Sequence, residues 1–304
     1  MGTSDEAASR IHAGDELHVV SVFTREGRGG NKTTISLDAD ALSAGEMQDI
    51  ALRFGHESGF VSSPPEGREF DFTFRFFVPK HEMEMCGHAT VGAMWILHRL
   101  GRLPQGRERV RIWTKSGLVE GRVVQDDQGS ARMEITQPKG HVSPLPEPVA
   151  NMARIASVLG IAAGDLAGPI QNAWTSRVKT LVPLKNAAAV NALTPDFARI
   201  ENLCADIGST GLYPYAPVDL ERRLFEARQF PKSSGYPEDP ATGIAAAALA
   251  FGLLENGIVQ ADHRSIYVHQ GRAMGQWSEI RISFQMDGPR AIGCWLTGDV
   301  SECE

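Results

Sequence analysis

Cysteine is scarce in this 304-residue chain, and its four copies, Cys86, Cys204, Cys294 and Cys303, never fall at CxxC spacing. That argues against a disulfide scaffold or a structural zinc site and for a reducing, cytoplasmic setting. His81, Cys86 and His88 match no common zinc spacing either, so no metal is expected. Basic charge is in the minority: 30 Lys and Arg against 37 Asp and Glu give a formal net charge of −7. A nucleic-acid partner, which needs a basic stripe to displace phosphate counterions, is not expected. No apolar run approaches the roughly 18 residues of a membrane span, since even Ile244–Leu254 is short and alanine-rich. Residues 1–16 are small and polar with no apolar signal core, and they read as a disordered leader. Phosphate-binding and hydrolase signatures are missing as well. The Gly27–Gly30 run is no GxGxxG, and neither GxxxxGK nor GxSxG occurs, so no nucleotide cofactor is implied.

What is present is enough apolar residue, 42%, for a substantial core, and a length that suits two modest domains. Leu17–Phe23 reads as a strand. Ser43 and Glu46 form a capping box opening a helix with Met47, Ile50, Ala51 and Phe54 on one face, stopped by Gly55. Phe70, Phe72, Phe74 and Phe76 alternate with polar residues, the period of a strand with one buried face. A helix from about Ala89 to Leu100 is apolar nearly all round and belongs in the middle of a domain. Pro138, Pro144, Pro146 and Pro148 crowd one stretch, read as a linker over 138–149 between lobes at 17–137 and 150–288. A second all-round apolar helix follows at Ala241–Leu254. The segment 289–304 reads as a last strand returning to the first lobe.

An internal repeat supports the two lobes. At an offset of 152, Pro79-Lys80 recurs as Pro231-Lys232, Ala89-Thr90 as Ala241-Thr242, Ala93 as Ala245 and Leu97 as Leu249. Each block is strand, loop and buried helix. If the lobes face one another, both helix N-termini point into one cleft, where unpaired amides and partial positive charge suit a carboxylate.

Met85-Cys86-Gly87-His88-Ala89-Thr90 and Glu238-Asp239-Pro240-Ala241-Thr242-Gly243 resemble the two signature helix starts of the phenazine-biosynthesis PhzF-like family. Gly30-Asn31, the Ser43 helix and His56-Glu57-Ser58-Gly59-Phe60-Val61 resemble its first stretch and Gln270-Gly271-Arg272-Ala273-Met274-Gly275 its late turn, so the likeness spans about Leu17 to Ser283. The resemblance implies an α+β fold like that of diaminopimelate epimerase: two pseudo-symmetric lobes, each a mixed sheet around a central apolar helix. It further implies a homodimer and an isomerase working without metal or organic cofactor. The characterised member isomerises trans-2,3-dihydro-3-hydroxyanthranilate. By matching positions, Glu57, His88 and Asp239 would be catalytic, with Cys86, Gly87, Thr242, Gly243 and Ile244 at the substrate. Two positions depart from the phenazine enzyme: Ile244 replaces a serine, and Gly275-Gln276-Trp277-Ser278 replaces Gly-Arg-Pro-Ser. The reaction class therefore carries over further than the substrate.

Each residue also has a plainer reading. Glu57 suits a solvated loop, and Asp239-Pro240 suits an N-cap followed by proline at N1. His88 could be a core histidine, although the positive helix end disfavours its protonation. That same end would favour a Cys86 thiolate, yet no second cysteine stands in the other lobe's motif. A racemase or epimerase of an amino acid through Cys86, and a silent binding or scaffold protein, are the rival functions.

Overall fold

The computed structural model describes residues 16–126 and 128–303; the leader expected at 1–16 lies outside them apart from Glu16. The first lobe runs β1 (Leu17–Thr24), β2 (Asn31–Ser36), α1 (Ala44–Phe54), β3 (Ser58–Ser62), β4 (Phe72–Val78), β5 (His81–Met83), α2 (Gly87–Arg99), β6 (Val110–Thr114), β7 (Gly117–Gln125) and β8 (Ala131–Pro138). The chain continues through β9 (His141–Pro144), α3 (Pro148–Leu159), β10 (Gln171–Trp174), β11 (Lys179–Pro183), α4 (Ala187–Asn191), α5 (Phe197–Asp206), β12 (Gly211–Asp219), β13 (Leu224–Ala227) and β14 (Phe230–Pro231). It closes with α6 (Gly243–Glu255), β15 (Ile266–Gln270), β16 (Ser278–Asp287), β17 (Arg290–Thr297) and β18 (Asp299–Glu302).

The pairing pattern repeats. In the first lobe β1–β2 is antiparallel, β2–β3 parallel across α1, β3–β4 antiparallel, β4–β6 parallel across α2, and β6–β7–β8 antiparallel. In the second, β10–β11, β11–β12, β12–β13, β13–β15 and β15–β16–β17 take the same orientations in the same order, with α6 in the place of α2. The parallel steps need crossovers, which α1, α2, α5 and α6 supply. The seam between lobes is itself strand pairing, β8 against β17.

Three details differ from the sequence reading. The proline-rich stretch carries β9, an edge strand on β10 that ends at Pro144. Proline is tolerated there because an edge strand leaves one side's amides unused. At the C-terminus, two strands and not one return to the first lobe: β17, paired with β16 on one side, takes β8 on the other, and β18 pairs with β1. The repeat register also shifts. The central helices start at Gly87 and Gly243, an offset of 243 − 87 = 156, not 152. A slip of four residues is about one helical turn, so in alanine-rich sequence it kept the same faces apolar.

Both central helices are sunk in the core, since Ala89–Met94 and Ala245–Leu253 are buried without a polar face. The local signals around α1 operate as chemistry requires. Glu46 N–H bonds to Ser43 Oγ at 3.3 Å, Ser43 N–H bonds to Glu46 Oε2 at 2.8 Å, and Gly55 ends the helix at φ 73°.

Candidate active site

Glu57 stands two residues after the Gly55 stop of α1. Its carbonyl is tied to β2 by Thr33 Oγ1 at 2.9 Å and Thr34 N at 3.3 Å, so the side chain is turned into the cleft. There it is 6% exposed, and Tyr236 of the second lobe donates its hydroxyl to Oε1. Burial holds the Tyr236 phenol well above its ordinary range, with the charges of Asp239 and Glu57 adding to it. The tyrosine therefore stays a donor.

Asp239 is not the N-cap of α6; Thr242 is. The aspartate sits three residues earlier, in a turn it organises itself by accepting from Thr242 Oγ1 at 2.5 Å. Asn31 of the first lobe reaches across to donate to Asp239 Oδ1 at 2.7 Å and to the Ala241 carbonyl at 3.0 Å. From the late turn, Gln270 Nε2 donates to the Asp239 carbonyl at 2.6 Å, and its Oε1 accepts from Tyr213. Burial, followed by the charge of Glu57, pushes the Asp239 carboxyl up to about 7.

The two helix starts meet. Among the described residues no side chain caps α2 or α6, whose N-cap positions are Cys86 and Thr242. A Cβ on Gly87 would lie 2.9 Å from Leu296 Cδ2, and one on Gly243 would lie 2.6 Å from the same atom. Two sets of first-turn amides thus flank one leucine, and only glycine allows that approach. His88 in the first turn of α2 is held below its usual range, burial outweighing the pull of Glu57, so the imidazole is neutral. Cys86 Sγ lies 3.3 Å from His88 Nδ1. Contrary to the thiolate expected from the helix N-terminus, burial and then the Glu57 charge raise the Cys86 thiol well above its ordinary value.

Glu57, Cys86, Gly87 and His88 from one lobe and Asp239, Thr242, Gly243 and Ile244 from the other line a single cavity. Arg177, Lys179, Gln229 and Tyr236 line it too, and sequence reading missed all four. Lys179 had a readable signal, as the one charge at the head of the otherwise apolar run Thr180–Pro183. Among the described residues, no group of three or more His, Cys, Asp or Glu is placed to hold a metal ion, and no helix is long and apolar enough to cross a membrane.

The raised Asp239 carboxyl has a measurable consequence. A carboxyl pushed up in the folded state stabilises the fold fully below its unfolded value of 3.8 and loses that contribution as pH rises to about 7. Asp239→Asn, uncharged at every pH, should therefore gain melting temperature over the native protein as pH rises from 5 to 7, then hold a constant lead. A lead that shrinks over that range would mean the folded protein prefers the aspartate ionised.

Several known proteins share this architecture. A Bacillus anthracis phenazine biosynthesis protein of the PhzF family superposes with a TM-score of 0.82 at 24% identity, covering 95% of this chain and 96% of that one. A hydroxyproline epimerase from Agrobacterium vitis, solved with bound trans-4-hydroxy-L-proline, gives 0.60 at 14% identity over 95% and 90% of the chains. In sequence, the chain is 32% identical to an uncharacterized isomerase of Deinococcus radiodurans over 98% of its own length and 96% of the relative's. It is 30% identical to the uncharacterized isomerase YddE of Salmonella typhimurium over 88% and 89%. Residues 20–298 match the phenazine biosynthesis-like protein family PhzC-PhzF, and with that span and that fold the chain belongs to this family.

Proposed function

We propose that the protein is an isomerase that relocates a proton on a small carboxylated metabolite, using its own acid and base and no cofactor. Isomerase is what its near-full-length relatives are named. The observation that carries the reading is the unequal pair across the cleft: Glu57 steadied by a tyrosine donor, and Asp239 pushed toward its neutral form beside it. The first-turn amides of α2 and α6 take the substrate carboxylate. Glu57 removes a proton from carbon next to an unsaturated or carbonyl group. The electron pair moves into that system, whose charge the amides and neutral Asp239 and His88 stabilise. Glu57 then returns the proton at a second carbon, so the double bond moves and no atom is gained or lost.

Racemisation needs a base on each face of one carbon, and the helix positions that would carry them hold Cys86 and Thr242. One is a thiol kept protonated, the other a hydroxyl. A homodimer in the cytoplasm completes the proposal, and light scattering should return twice the chain mass.

The test is incubation with cyclic and amino-acid carboxylates in deuterated water. The expected product is an isomer with a shifted double bond and deuterium at the new position. Exchange confined to an α-carbon, with inversion and unchanged connectivity, would make the enzyme a racemase. Binding without exchange or turnover on any acid would leave a scaffold.

A further inference from the structure

Lys179 opens β11, and every residue of that strand is buried; the lysine itself is 5% exposed. Among the described residues its ammonium has no hydrogen bond and no carboxylate within ion-pair distance. Asp239 exerts a pull on it, but the Asp239 oxygens are already taken by Asn31 and by Thr242. A cation withdrawn from water without a partner is unfavourable, and an apolar residue would serve the strand better. Burial accordingly depresses its ammonium to about 8.

Its position in the repeat sharpens the point. Asn31 and Lys179 are each the first residue of the second strand in their lobe's opening hairpin. Asn31 is spent on the Asp239 turn, whereas Lys179 is spent on nothing. Half-buried Arg177, two residues earlier, lines the same cavity and likewise has no partner among the described residues. Gln229 is a third case: at 1% exposure neither atom of its amide is hydrogen-bonded, and it too lines the cavity. Arg177 also borders an adjoining groove of about 580 Å³, where Thr175 Oγ1 and Gln137 Oε1 are buried and unpartnered. There is room beside Arg177 for more of a ligand than one carboxylate.

We infer that Lys179 and Arg177, with the Gln229 amide, form a second anion subsite in the cleft, so that the substrate is a dianion bearing a further acidic group besides the carboxylate at the helix N-termini. This rests on the proposed reading of the cleft and narrows its substrate class. A second carboxylate would give the buried ammonium its missing partner, and the two anionic ends would fix the reacting carbon between them.

The experiment is calorimetric titration with saturated acids in matched pairs, acetate to pentanoate against malonate to adipate. At least one dicarboxylate of the series should bind about 10-fold or more tightly than its monocarboxylate, the return expected from one charge-assisted contact. That preference should vanish in Lys179→Met and weaken in Arg177→Met, with monocarboxylate affinity unchanged in both. Lys179→Met should melt no lower than the native protein; if it fails to fold, Lys179→Gln and the loop variant Arg177→Met decide. Equal affinity within every pair, or a preference that survives both changes, would overturn the subsite while leaving the carboxylate pocket intact. Failure of every acid to bind would overturn both.

Discussion

Glu57→Gln should leave a folded protein that binds substrate and turns it over about 10²- to 10⁴-fold more slowly, the usual share of general acid–base catalysis. Glutamine keeps the size of the side chain and can still accept the Tyr236 hydroxyl, so the link across the cleft survives. What disappears is the group that takes and returns the proton. Folding should be unharmed, because a carboxylate confined in a cleft is often neutral or mildly unfavourable for stability. Glu57→Asp should also be poor: shortening the side chain withdraws the carboxylate by about 1 Å, a misplacement that can lower the rate about 10²-fold. Tyr236→Phe should lie between the two and the native enzyme, since it removes one donor and leaves the base. Single-turnover kinetics on the true substrate separates the cases. Near-normal turnover by Glu57→Gln would remove Glu57 from the mechanism, and lost binding with unchanged chemistry would recast it as an anchor.

The parts of this site that could be read from sequence are those whose signals are local or carried by motif. Ser43, Glu46 and Gly55 mark both ends of α1 within a dozen residues, so the loop presenting Glu57 was legible. The two central helices announced themselves by lacking a polar face. Asp239-Pro240 misled because a cap and a pre-helical turn share the same residues, and what separates them is the bond to Thr242. Tyr236 and Asn31 act through partners far away in the chain, which periodicity does not register: the Gly30-Asn31 motif marks Asn31 without disclosing its bond to Asp239, and Gln229, whose amide has no hydrogen bond among the described residues, leaves no local signal at all. Phe23 shows the same limit: fully buried, it holds φ at 66°, where β1 shifts register against β18. Such a conformation is uncommon for an aromatic residue, and nothing in the local sequence announces it.

Asp239 depends on support from behind, and removing that support should cost much of the fold's stability. Its neighbour Glu238 is gripped by Arg228 through two parallel bonds, Nε to Oε1 at 2.8 Å and Nη2 to Oε2 at 2.7 Å. A third nitrogen, Nη1, donates to the Leu193 carbonyl at 2.8 Å, and the guanidinium lies 4.9 Å from the centre of the Phe230 ring. Both partners are buried, at 7% and 8% exposure. Breaking such a pair from one side leaves an uncompensated charge in the interior, which destabilises by about 3–5 kcal/mol. Arg228→Met should therefore lower the melting temperature by roughly 2–4 °C for each of those kcal/mol, if a chain of this length follows slightly smaller domains. Replacing both partners, Arg228→Met with Glu238→Leu, removes the stranded carboxylate and should recover most of the loss, with the Leu193 carbonyl as the remaining debt. Turnover should not recover with it, because the segment carrying Asp239 would have lost the fork that fixes its angle of entry to the cleft. Thermal melts of the two single variants and the double variant give the coupling energy directly. A single variant that melts within about 1 kcal/mol of the native protein would mean that water reaches Glu238 and that the pair does not hold the turn.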